Sequence, residues 1–78
     1  MKEVTISLNT VDKVKRFVDI TSKQIFDCDI VSGRYIIDAK SIMGILSIDL
    51  SKDLTLQIYS DDEAEIEKFT KSISEFII

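Results

Sequence analysis

Val4, Ile6 and Leu8 fall on one side of an extended segment, and Glu3, Thr5 and Ser7 on the other. That period of two is the mark of a strand with one buried face. The spacing then changes. Val11, Val14, Phe17, Val18 and Thr21 recur at helical intervals, with Lys13, Lys15, Arg16 and Asp19 off the stripe. The pattern predicts an amphipathic helix over about 10–22. Asn9 and Thr10 stand at its start, where a short side-chain oxygen can accept from the first free amides.

A second strand is predicted over about 25–32, with Phe26, Cys28 and Ile30 on one face and Asp27 and Asp29 on the other. Ser32-Gly33 supplies a turn, because glycine takes positive φ at little cost. Arg34 to Asp38 returns as a third strand rich in residues that strands favour. Ser41 then caps a short apolar helix over about 42–48. Leu54, Leu56 and Ile58 alternate with Thr55, Gln57 and Tyr59 in a fourth strand. Ser60 and Asp61 are placed as caps of a last helix whose stripe is Ile66, Phe69, Ile73, Phe76 and Ile77. Acidic residues open that helix and Lys68 and Lys71 follow, matching the helix dipole. The order is βαββαβα, an α+β layer pair with helices on one face of an antiparallel sheet.

Composition narrows the possible functions. Seventy-eight residues with no proline and two glycines predict one small domain over 1–78, too small to enclose a large catalytic cavity. A net charge of −4 speaks against a nucleic-acid binder, which needs a phosphate-neutralising surface. No apolar run is long enough to span a bilayer. The start of the chain lacks a signal-peptide core, and one cysteine allows no internal disulfide; both predict a cytoplasmic protein. There is no histidine at all, which removes imidazole base catalysis and histidine metal ligation. The reading assigns no cofactor, no metal and no enzymatic activity. The acids Asp61, Asp62, Glu63, Glu65 and Glu67 lack the glycine and alternating oxygens of a calcium loop. Cys28, on an apolar face, reads as core.

The segment Ser41 to Ile48 carries Ile42, Met43, Ile45, Leu46 and Ile48, more apolar residues than one face of a two-turn helix can bury. Either part of it faces water as a partner site, or all five pack under the following loop. Ser41 likewise has two readings. As a cap it contributes on the order of 1 kcal/mol; as a phosphoacceptor it would set a double negative charge at a helix start beside an apolar patch. Lys13, Lys15 and Arg16 make the one locally basic stretch, a solvated face or a contact for an acidic partner.

Lys40-Ser41-Ile42-Met43-Gly44, followed by Ile45-Leu46-Ser47-Ile48, resembles the signature of HPr, the histidine-containing phosphocarrier of the bacterial phosphoenolpyruvate-dependent sugar phosphotransferase system. Element order, hairpin position and length resemble that family over the whole chain. The resemblance implies an open-faced β-sandwich, with a four-stranded antiparallel sheet of order 1-4-2-3 and three helices on one side. It implies that Ser41 occupies the regulatory serine modified by an ATP-dependent kinase/phosphorylase. It also implies that Ile42, Met43 and Leu46, with Lys40, Lys13 and Arg16, meet protein partners: that kinase, a transcriptional regulator of catabolite repression, or another phosphotransferase-system protein such as enzyme I.

The phosphocarrier motif itself is missing. Counted back from Lys40-Ser41 without a gap, Thr10 falls at the phosphohistidine position, Asp12 at the family's arginine and Lys13 at its proline. A threonine hydroxyl without a base is a poor nucleophile, and Asp12 would repel phosphate. The expectation is a non-catalytic regulator acting by protein–protein binding under Ser41 control. The other reading is a small-ligand or self-associating domain that uses the open sheet face with Thr5, Asp27, Asp29 and Thr55.

Overall fold

Three antiparallel registers define the sheet in the computed structural model, which describes residues 1–78. The strands are β1 (Lys2–Ile6), β2 (Asp27–Ser32), β3 (Tyr35–Asp38) and β4 (Leu54–Tyr59), in the spatial order β1-β4-β2-β3. Val4 lies opposite Leu56, Leu56 opposite Ile30, and Ile30 opposite Ile37. One apolar row therefore crosses all four strands. The next rows down the same face pair Ile6 with Leu54 and Cys28 with Ile58. The other face carries Thr5, Thr55, Val31 and Ile36 in one row and Glu3, Gln57, Asp29 and Asp38 in the next. This is the alternation of a sheet covered on one side only.

The covering layer is α1 (Val11–Thr21), α2 (Ile42–Leu46) and α3 (Glu63–Ser72), followed by a 3₁₀ turn at Ser74–Phe76. The fold is the open-faced sandwich, with three helices and a 1-4-2-3 sheet. Phe17 meets Phe76 edge-on at 5.6 Å between ring centroids, and Phe26 meets Phe69 at 5.1 Å. Edge-to-face contact suits the ring quadrupoles. Thr21 is the one buried polar residue, and its hydroxyl donates to the Ala39 carbonyl at 2.8 Å, joining the end of α1 to the segment before α2. No buried side-chain polar atom lacks a partner.

The hairpin turn is tight. Ser32 pairs with Tyr35, so the loop is Gly33-Arg34, and only Gly33 has positive φ, at 60°. Positive φ at the first loop position alone is the type II′ pattern, whose twist matches the strands it joins.

Three expectations need correction. Val11 is half-exposed and no part of the buried stripe of α1, which is Val14, Phe17 and Thr21; it is the first residue of the helix, before the stripe meets the core. The α3 cap is Asp62, whose Oδ1 accepts from the Ala64 and Glu65 amides. Ser60, expected as a cap, instead donates to Glu65 and accepts from the Asp62 amide. Finally, α3 stops at Ser72. Beyond Ile73 the chain tightens so that the Ser7 amide donates to the Phe76 carbonyl at 2.8 Å and the Ile78 amide to the Thr5 carbonyl at 3.0 Å. The unpaired backbone of the β1 edge captures a segment whose periodicity alone would have continued the helix.

Candidate functional site

The site is built on α2, and its first residue is set by what precedes it. Asp38 ends β3 and its Oδ1 accepts from the Lys40 amide at 2.9 Å, while its carbonyl accepts from the Ser41 amide at 3.0 Å. These two bonds turn the chain so that Ser41, in extended conformation, faces the open end of the helix. Its Oγ accepts from the Gly44 amide at 3.1 Å. Ser41 is therefore an N-cap, and at intermediate exposure its hydroxyl is not sealed in the core. Lys40 is not a free surface cation, since its Nζ donates to the Gln24 carbonyl at 3.0 Å and clamps the loop after α1 to the base of α2.

Gly44 explains how so short a helix is seated. A Cβ added there would lie 2.7 Å from Ile37 Cγ2 and 3.1 Å from Ser41 Oγ. Only glycine lets the α2 backbone approach β3 this closely while leaving the Ser41 hydroxyl in its capping position. The five apolar residues then divide. Ile45 is fully buried, and Ile42 and Ile48 pack partly against the core. Met43 is 75% exposed and Leu46 37%. Part of the segment therefore faces water, and the reading that packs all five inside fails: the helix anchors through Ile45 and presents Met43 and Leu46 to solvent. An exposed methionine beside leucine, on a rigid scaffold, forms an adaptable apolar contact.

α1 packs beside α2 and carries the basic residues. Thr10 caps it, its Oγ1 accepting from the Lys13 amide at 3.1 Å, so the hydroxyl expected at the phosphohistidine position is occupied as a helix cap. Lys13 Nζ donates to Asn9 Oδ1 at 3.0 Å. Arg16 is more committed. Its Nε meets Asp12 Oδ2 at 3.0 Å, its Nη1 meets Glu75, and its guanidinium lies over the Phe76 ring at 5.7 Å. Hydrogen bonds to Glu75 and then Asp12 raise its pKa above the ordinary arginine value. Glu75, on the 3₁₀ turn, went unnoticed in the sequence because nothing local links positions 59 residues apart. Ser41, Ile42, Met43 and Leu46 thus share one helix, whereas Arg16 faces the C-terminal turn.

The open sheet face gathers the other candidates. Thr5 lies opposite Thr55, Asp27 opposite Tyr59, and Asp29 between Gln57 and Asp38. No group of three or more acidic or cysteine side chains converges there to hold a metal ion. Burial pushes the Tyr59 hydroxyl above its ordinary pKa, with Asp29 adding to the effect. On the covered face burial pushes the Cys28 thiol up to about 11. The folded state therefore holds this proton more tightly than the unfolded chain. Stability from Cys28 is complete below the ordinary thiol pKa of roughly 8.5 and is lost as pH rises towards about 11. Cys28→Ala is expected to flatten this alkaline loss in denaturant titrations at stepped pH.

The fold and the α2 site define a class, the open-faced α/β sandwich with a capped apolar helix on its covered side. Sixteen solved chains match it. With the crystal structure of HPr-C-His from Thermoanaerobacter tengcongensis the TM-score is 0.76 at 30% sequence identity, covering 96% of this chain and 89% of that one. With the phosphocarrier protein HPr from Bacillus anthracis str. Ames it is 0.66 at 28%, covering 91% and 92%. The chain belongs to the HPr family. No protein-family model and no curated protein matches it. No helix is long and apolar enough to cross a membrane.

Proposed function

We propose that this chain is a regulatory member of the phosphoenolpyruvate-dependent sugar phosphotransferase system that binds other proteins through α2 and transfers no phosphoryl group itself. The observation that carries the reading is the division of α2: a partly exposed capping Ser41 opens the helix that presents Met43 and Leu46 to water. Family membership supplies the setting. These 78 residues contain no histidine, so no phosphohistidine can form, and the Thr10 hydroxyl, already engaged as the α1 cap, is a poor nucleophile compared with an imidazole. The protein would act in the cytoplasm without a cofactor, with a kinase/phosphorylase of the HPr type, a transcriptional regulator or another phosphotransferase-system protein as partner. Ile42, Met43 and Leu46 would make the apolar contact, and Lys13, on the neighbouring α1, would supply a charge to an acidic partner.

Phosphorylation of Ser41 would act as the switch. The modified side chain carries about −1.5 to −2 charge at pH 7, at a position whose oxygen already faces the Gly44 amide. The same charge would stand next to Ile42 and Met43, weakening a purely apolar docking and favouring a partner with an arginine to offer. Incubation with an HPr kinase/phosphorylase and ATP should add one phosphate, located at Ser41 by mass spectrometry of fragments and absent from Ser41→Ala. If the chain stays unmodified while an HPr substrate in the same tube is phosphorylated, the switch is refuted.

A further inference from the structure

The two edges of the sheet are treated differently. The β1 edge is closed by the chain's own end, through the Ser7–Phe76 and Ile78–Thr5 bonds and the bridge between Ile6 and Ile77. The β3 edge has no such cover. The Ala39 amide donates to the Cys28 carbonyl at 2.9 Å, which sets the parity of the hairpin: Tyr35, Ile37 and Ala39 turn their backbone groups towards β2. Ile36 turns its N–H and C=O outward, and no backbone group from a turn, loop or cap reaches them. Its side chain is 68% exposed and that of Tyr35 62%. Tyr35–Asp38 carries no proline, lysine or bulge to blunt this edge, whose only protections are its shortness and the charge of Asp38.

From this edge we infer that β3 pairs with β3 of a second copy of the chain, antiparallel and two-fold, joining two four-stranded sheets into one of eight. The register follows from parity and charge. A two-fold centre can fall on a hydrogen-bonded pair, at an even-numbered residue here, or on a non-hydrogen-bonded pair, at an odd one. Of the odd centres, Ile37 would set Arg34 against the partner's Lys40, and Tyr35 would set Arg34 against the partner's Ile36 with no opposite charge to meet it. A centre at Asp38 would set Asp38 against the partner's Asp38, and a centre at Arg34 would set two arginines together. A centre at Ile36 exchanges both N–H···O bonds between Ile36 and the partner's Ile36. It also places Arg34 opposite the partner's Asp38, twice by symmetry, on the face where Arg34 and Asp38 are both exposed. On the covered side Tyr35 falls opposite the partner's Ile37, an aromatic and β-branched pair of the kind that stabilises antiparallel strands. The edge is complementary to itself in hydrogen bonds, charge and shape of side chain.

Four residues make a small contact, so association is concentration-dependent. Sedimentation equilibrium from about 10 μM to about 1 mM should show the average mass rising from monomer towards dimer. Arg34→Glu and Asp38→Arg should each weaken association roughly five- to thirtyfold by setting like charges opposite each other. An equimolar mixture of the two variants should recover it, because both contacts in the mixed pair again join opposite charges. Since Asp38 also accepts from the Lys40 amide, an independent readout is the Ile36 amide of the unaltered chain, whose hydrogen exchange should slow as concentration rises. A chain that stays monomeric at the highest concentration overturns the proposal and leaves the edge to an extended segment of another protein. So does association that both single variants keep in full, or a mixture that fails to recover it.

Discussion

Phe76→Ala is expected to lower the free energy of unfolding by about 3–5 kcal/mol, a large share of the roughly 5–15 kcal/mol that holds a typical domain folded. Phe76 is nearly fully buried, meets Phe17 edge-on, and lies beneath the Arg16 guanidinium. Its carbonyl also accepts from the Ser7 amide. Truncation leaves a cavity against Phe17 and frees the turn that presents Glu75 to Arg16. Urea titration followed by far-ultraviolet circular dichroism measures the loss. Phe76→Leu, which keeps most of the volume, should cost less than half as much. Hydrogen exchange at Ser7 should quicken in the alanine variant, because the cover of the β1 edge then opens more readily. A loss under about 1 kcal/mol would mean that the C-terminal turn is held by its backbone bonds alone.

Met43→Asp is expected to leave the fold intact and to reduce affinity for an HPr kinase/phosphorylase by about thirtyfold or more. The first half follows from exposure, since a side chain 75% in water contributes little to the core. The second follows from the proposed docking: a central apolar anchor on a small contact typically accounts for about 2 kcal/mol or more, and a buried carboxylate adds a desolvation cost. Ile45→Asp on the same helix should unfold the domain instead, because Ile45 is wholly enclosed. Titration calorimetry separates the two outcomes. If Met43→Asp binds as tightly as the parent chain while Lys13→Glu does not, the docking surface belongs to α1.

Much of the molecule is legible in its residues. Val4-Ile6-Leu8 and Leu54-Leu56-Ile58 announced β1 and β4 because strand periodicity is written in adjacent residues. Ser32-Gly33 marked the hairpin, and Ser41 marked the start of α2, through local chemistry that neighbours alone dictate. The α3 cap was misplaced to Ser60 and Asp61 since Ser60, Asp61 and Asp62 all carry capping oxygens, and which one faces the amides depends on the path of the incoming chain. Val11 was misassigned for a related reason. Helical spacing locates the apolar stripe, while packing against the rest of the fold decides which of its residues are covered.

By itself the sequence determined the kinds and order of elements, the caps of α1 and α2, the hairpin turn, and the absence of any imidazole to carry phosphate. Each is a property of residues within a turn or two of one another, or of simple composition. Tertiary structure alone decided the rest: which apolar residues of α2 were spent on the core, that Lys40 clamps a loop, that Arg16 answers Glu75, and which sheet edge remained open. Those outcomes depend on distances between residues far apart in the chain, and such distances exist only once the layers have closed on each other.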